Sequence, residues 1–156
     1  MTDPTRLKTI EEIIDFAIER EREAQATYLS YAGQTGRRGF SELLLSMVEM
    51  EKQHELKLNA LKQGQSTAEL FAPPKLEDLG LAEMLVEVPF SADMDYGDFL
   101  VLVIRKESQA EQLYRKLGSL TTSPEVQSMF ALLADEERKH KDWAQERYDE
   151  EILKEN

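Results

Sequence analysis

The sequence contains no cysteine. That excludes disulfides, thiolate nucleophiles, cysteine-ligated zinc, and iron–sulfur or rubredoxin centres. Long apolar runs are missing as well. No stretch reaches the ~18 to 20 consecutive apolar residues of a membrane-spanning helix, and Met1 to Lys8 lack the apolar core of a signal peptide, so a cytoplasmic protein without membrane contact is expected. Positive charge is scarce: 19 basic against 31 acidic side chains leave a formal charge of −12. With no basic patch to offset it, this charge argues against a nucleic-acid partner. Glycine (7) and proline (5) are few and mostly clustered. The long segments left between these breakers favour helices.

The 156 residues, 41% hydrophobic and 32% charged, suit one domain with one core, spanning 1–156. A first helix is read over about 7–34. Thr9 and Glu12 form a capping-box pair, and Ile10, Ile14, Ala17, Glu21, Ala24, Tyr28 and Tyr31 recur at steps of four and three. A second runs over about 38–62, with Phe40, Met47, Glu51, His54, Leu58 and Leu61 on its inner stripe, and Gly64 stopping it. The short link makes these two an antiparallel hairpin. Pro73, Pro74, Gly80 and Pro89 break the region of about 65–94, yet Leu76, Leu79, Leu81, Met84 and Leu85 keep it apolar. It reads as an ordered crossover with one or two helical turns rather than a flexible linker. A third helix is expected over about 96–117, with Leu100, Val103, Glu107, Ala110, Tyr114 and Leu117 inward. Ser123 and Pro124 open a fourth, over about 124–153, on Val126, Phe130, Leu133, Glu137, His140 and Ala144. The fold expected is an all-α, antiparallel four-helix bundle of two repeated hairpins joined by a long crossover.

A shift of 86 residues superposes Glu21 on Glu107, Tyr28 on Tyr114, Glu51 on Glu137 and His54 on His140. The same shift carries Ala24 onto Ala110, Ile18 onto Ile104, Arg20 onto Lys106 and Lys52 onto Arg138, so each half is a hairpin bearing one pattern and the halves pair about a pseudo-twofold axis. Single Glu-x-x-His motifs are common on helix surfaces. Here the only two histidines both follow a glutamate by three, both lie on inner stripes and both fall at one repeat offset. Unpaired carboxylates on an inner stripe cost several kcal/mol each in desolvation, so something must neutralise them. Four glutamates and two neutral imidazoles carry about −4 of ligand charge, which two divalent metals cancel. The metal set is Glu21, Glu51, His54, Glu107, Glu137 and His140. Such oxygen-rich ligation suits iron or manganese, although zinc would also bind. Tyr28 and Tyr114, two turns beyond the first- and third-helix glutamates, point into the same seam and can hydrogen-bond a ligand carboxylate. Trp143, Met47, Met50 and Phe130 read as packing. Glu11, Glu12, Glu19, Glu23, Glu136, Glu146, Glu150 and Glu151 read as solvated faces, and Glu111 is ambiguous.

The segments EREAQATY, MEKQH, KESQAEQLY and DEERKH resemble the rubrerythrin-type diiron domain of the ferritin-like superfamily over nearly the whole chain. The resemblance implies that the six residues above ligate two metals, with Glu51 and Glu137 bridging. It implies a non-haem diiron oxidoreductase reducing hydrogen peroxide or dioxygen: two ferrous ions together hold the two electrons required. Rubrerythrins carry a cysteine-ligated rubredoxin domain as electron conduit. This chain has no cysteine, so an external electron-donor protein is expected. They also have an extra glutamate one turn after the third-helix ligand, where this chain has Ala110. Bacterioferritins share the ligand types, but Lys52 replaces their haem-binding methionine. A ferroxidase or iron-handling protein is therefore the second reading, and a metal-stabilised structural or interaction module the third. A homodimer is expected, as rubrerythrin-like bundles often dimerise.

Overall fold

The structure, a computed structural model, describes residues 7, 9–36, 38–63 and 89–153. These form an antiparallel bundle of four helices, α1 (Ile10–Gln34), α2 (Arg38–Lys62), α3 (Tyr96–Gly118) and α4 (Pro124–Glu151). The first helix begins three residues later than the periodicity predicts. Thr9 is extended, at φ −127° and ψ 161°, and its hydroxyl accepts the Glu12 N–H at 3.0 Å, so it stands before the first turn as a cap. Asp95 caps α3 in the same way, accepting from the Asp98 N–H at 2.8 Å. Ser123 caps α4 ahead of Pro124, whose missing N–H costs nothing in the first turn. The last helix stops at Glu151, two residues short of expectation. The expected crossover falls mostly on residues 64–88, outside the described residues. At its described end Phe90 stacks on Tyr31, with ring centroids 4.0 Å apart.

The helices pack most extensively within each hairpin, α1 on α2 and α3 on α4, and α2 also meets α4. Their apolar side chains gather into two clusters. One contains Ile14, Phe16, Leu58, Leu117, Phe130 and Leu133; the other contains Tyr31, Phe40, Leu44, Phe99, Leu100 and Val103. The inner-stripe glutamates at positions 21, 51, 107 and 137 belong to neither cluster, although all four are buried. Among the described residues no helix is long and apolar enough to cross a membrane.

Phe40 of α2 and Phe99 of α3 stack at 4.7 Å, joining the two hairpins at one end. Because Phe99 is fully buried, Phe99→Ala should cost about 3–5 kcal/mol of unfolding free energy. Urea titration followed by circular dichroism measures this. A cost under about 1 kcal/mol would mean that this contact does not hold the hairpins together.

Candidate metal centre

Each helix delivers its polar residues to one layer of the bundle. Glu51 and His54 are one turn apart on α2, Glu137 and His140 one turn apart on α4, and α1 and α3 supply Glu21 and Glu107. The donors form two groups: Glu21, Glu51, His54 and Glu137; and Glu51, Glu107, Glu137 and His140. Within each group one ligand atom per residue lies within 4.8 Å of all the others. Glu51 and Glu137 are common to both. The two imidazoles lie nearly parallel, interplanar angle 9°, with centroids 6.2 Å apart. His54 Nδ1 is 3.5 Å from Glu21, 3.5 Å from Glu51 and 2.8 Å from Glu137. His140 Nδ1 is 3.6 Å from Glu107. All six residues of the expected set come together.

Their burial tests whether a metal fits. Among the described residues, the buried side-chain nitrogen and oxygen atoms without a hydrogen-bond partner are Arg20 Nε and six atoms of this cluster, from Glu21, His54, Glu107, Glu137 and His140. His54 Nδ1 and Glu137 Oε1 are close enough to attract, but neither makes a properly directed hydrogen bond. Buried polar atoms are normally paired. Orphaned donors from five residues converging on one volume match the demand of cations.

The two tyrosines cross the bundle. Tyr28 of α1 donates to Glu107 of α3 at 3.2 Å, and Tyr114 of α3 donates to Glu21 of α1. Each half thus orients a carboxylate supplied by the other. Burial, with Glu107, Glu51 and Glu137 nearby, holds the Tyr28 phenol well above its ordinary pKa. Burial, with Glu21 and Glu137, does the same for Tyr114. Both therefore remain donors at neutral pH.

One acid departs from the sequence reading, and the ambiguous one finds its place. Glu136 does not lie on a solvated face: its side chain is only 25% exposed, and Oε2 accepts from His54 Nε2 at 2.7 Å while Oε1 accepts from Lys57 Nζ at 2.9 Å. A carboxylate only accepts, so Nε2 carries the proton and Nδ1 faces the glutamates. The available signal was the repeat, which sets Lys57 and Glu136 where the opposite half has Trp143 and Met50. Glu111 is absent from both donor groups. It accepts from Arg115 at 2.9 Å and Lys141 at 3.2 Å. Its repeat counterpart, Gln25, likewise bonds across its own hairpin, to Glu55. Glu111 thus pairs within the α3–α4 hairpin, outside the donor cluster.

Between α1 and α3 lies a cavity of about 510 Å³, lined by Arg20, Ala24, Lys106, Ala110 and Tyr28 and reaching Glu51, Glu107 and Glu137. The methyl side chains of Ala24 and Ala110, repeat partners, leave it open toward the carboxylates.

Residues 98–156, covering nearly all of α3 and α4, match the Rubrerythrin family model. No curated protein matches the chain. Among solved structures, the fold resembles a hypothetical protein from Pyrococcus furiosus, at 23% identity and TM-score 0.60 over 90% of this chain and 89% of that one. It also resembles a protein from Thermotoga maritima described as ferritin-like and diiron-carboxylate, at 15% identity and TM-score 0.66 over 94% and 97%. The α3–α4 hairpin is thus similar to the Rubrerythrin family, and the whole chain shares its four-helix fold with these two structures.

The charges give the metal-free protein a pH dependence of definite sign. Burial, then the charge of Glu51, raises Glu21; burial, then Glu107 and Glu51, raises Glu137. Burial would lower both histidines, but Glu137, Glu21 and Glu51 around His54, and Glu107 and Glu51 around His140, outweigh it and raise them. Burial also pushes Glu51 up, yet the neighbouring Glu21 and His54 hold it lower, so its opposing effect falls below about pH 4.5. Above that, the folded state holds more protons than the unfolded one, and stability falls as pH rises. Melting temperature of chelator-treated protein should decline steadily from pH 5 to 8, at roughly 2–4 °C per kcal/mol lost. A rising or flat profile would contradict the assigned charge cluster.

Proposed function

We propose that this chain, rubrerythrin-like in its α3–α4 hairpin and ferritin-like throughout, is a non-haem diiron oxidoreductase that reduces hydrogen peroxide with electrons from an external donor. The observation carrying this reading is the double donor group with shared Glu51 and Glu137 and its orphaned buried atoms. Glu21 and His54 would complete one metal position, Glu107 and His140 the other, with Glu51 and Glu137 common to both. When bound, two ferrous ions supply the two electrons that, with two protons, convert one hydrogen peroxide to two waters.

The chain's own groups prepare that centre. Tyr28 and Tyr114 fix the ligand carboxylates of the opposite half, and the phenol protons stay on oxygen because burial disfavours the phenolates. The cavity past Ala24 and Ala110 gives a small polar oxidant a path from exposed Glu23 and Ala26 to the shared glutamates. The absence of cysteine removes any built-in rubredoxin centre within this sequence.

Three outcomes separate the readings. Anaerobic diferrous protein mixed with peroxide in a stopped-flow instrument should show one stoichiometric oxidation, faster than with dioxygen, and sustained turnover only with an added donor such as rubredoxin and its reductase. Faster oxidation by dioxygen, with many ferrous ions mineralised per particle, would favour the ferroxidase. Inertness toward both oxidants would favour a structural module.

The ligand assignment has its own check. His54→Ala and His140→Ala should each lose one of two bound metals by elemental analysis while helical content is kept, because the apolar stripes survive. Retention of both metals in His54→Ala would refute the assignment. Protein loaded at 100 times its dissociation constant should also gain about 2.7 kcal/mol per site over the chelator-treated form.

A further inference from the structure

The repeat that doubles the donors does not double what stands behind them. The 86-residue shift that carries His54 onto His140 also carries Met50 onto Glu136 and Lys57 onto Trp143. Behind His54, therefore, stand a carboxylate and an ammonium in one chain of hydrogen bonds, His54 Nε2–H to Glu136 and Lys57 Nζ to the same carboxylate. Behind His140 stand a thioether and an indole. With Leu43, Met47 and Val103 they line an apolar pocket of about 300 Å³ that touches the imidazole. Among the described residues, the carboxylate within 4.0 Å of a His140 nitrogen is that of Glu107, on the inner Nδ1 side. The His54 side chain is 3% exposed, the His140 side chain 21%.

We propose that Glu136, held by Lys57, is a positioning residue that makes the Glu21/His54 position the tighter of the two, so that the centre fills in order and the Glu107/His140 position fills last and exchanges first. This rests on the dinuclear reading above. An acceptor on the outer imidazole nitrogen fixes the tautomer with the lone pair inward, locks the ring plane and raises the basicity of the ligating nitrogen; losing such a partner typically costs 10–100-fold in metal affinity. His140 has apolar neighbours there and receives none of these three effects from them. Since Glu51 and Glu137 serve both positions, the difference between them rests on the unshared ligands and their supports.

Cobalt(II), titrated calorimetrically into the chelator-treated full chain, tests this. The unaltered protein should bind two ions in steps at least tenfold apart. Glu136→Ala should weaken the tighter step 10–100-fold and move the weaker one less than about threefold, bringing the two together. Glu136→Gln keeps an acceptor without the charge and should show a smaller loss in the same step. If the alanine variant does not fold, the glutamine variant carries the test. In zinc-loaded protein a downfield ring N–H proton signal should be present, survive Met50→Ala and vanish in Glu136→Ala. Two cobalt ions bound with one affinity, or both steps unchanged in the Glu136 variants, would overturn the ordered filling and leave the dinuclear centre standing. Fewer than two cobalt ions per unaltered chain would overturn the dinuclear reading itself, and the ordering with it.

Discussion

Four carboxylates buried in one layer of a helical bundle repel one another and forfeit their hydration, and the rest of this structure is arranged around that cost. Two apolar clusters lie outside the layer and supply burial that does not depend on its charge. Inside it, protons are the immediate compensation: Glu21 and Glu137 are pushed toward their neutral forms by burial and by neighbouring acids, while His54 and His140 are drawn toward their charged forms. A pair of divalent cations would compensate the same charge more completely, since each would replace protons and also satisfy atoms that protons leave orphaned. Metal binding at these side chains would thereby be coupled to folding.

Much of this was legible in the sequence because it follows two periodicities. The 3.6-residue period places Glu21, Glu51, Glu107 and Glu137 on the stripes that also carry Ile14, Leu58, Val103 and Leu133, and all eight are buried. The 86-residue repeat then identifies the charged members as a matched set. Helix ends were less legible where capping competes with periodicity: Leu7 is apolar and buried, which extends the pattern, but the Thr9 hydroxyl ends the helix by taking an N–H that an earlier turn would need. Glu136 escaped because it sits one residue off the inner stripe, at an angle that usually meets solvent. Its partners come from α2, on the other hairpin, and no pattern within α4 reveals them.

Sequence symmetry and chemical symmetry therefore separate at a definite radius. The donors closest to the axis obey the repeat. So do the tyrosines, each reaching a glutamate of the other half. One layer further out the repeat breaks, with Glu136 and Lys57 on one side against Met50 and Trp143 on the other. A similar divergence occurs on the hairpin faces, where Gln25 and Glu55 in one half correspond to Glu111 and Lys141 in the other and the acid changes helix. Identical inner ligands with unlike supports are how a duplicated hairpin would give two metal positions different surroundings without altering a single ligand.

The spacing of the helices links this ligation to access. Because α1 packs on α2 and α3 on α4, while α1 and α3 approach each other less closely, the space between them, crossed by the tyrosine–glutamate bonds, also holds a cavity. A larger side chain at Ala24 or Ala110 would occupy that gap directly above the shared carboxylates. The two small residues thus serve the same end as the two tyrosines: one pair keeps the opening clear, and the other holds the glutamates still beneath it. That opening reaches Glu51, Glu107 and Glu137, whereas the His140 pocket shares none of its lining residues and is apolar, drawn mainly from α2 and α4. The bundle therefore offers the centre two unlike faces, one bounded by α1 and α3 whose lining includes Arg20, Glu23 and Lys106, and an apolar one behind His140.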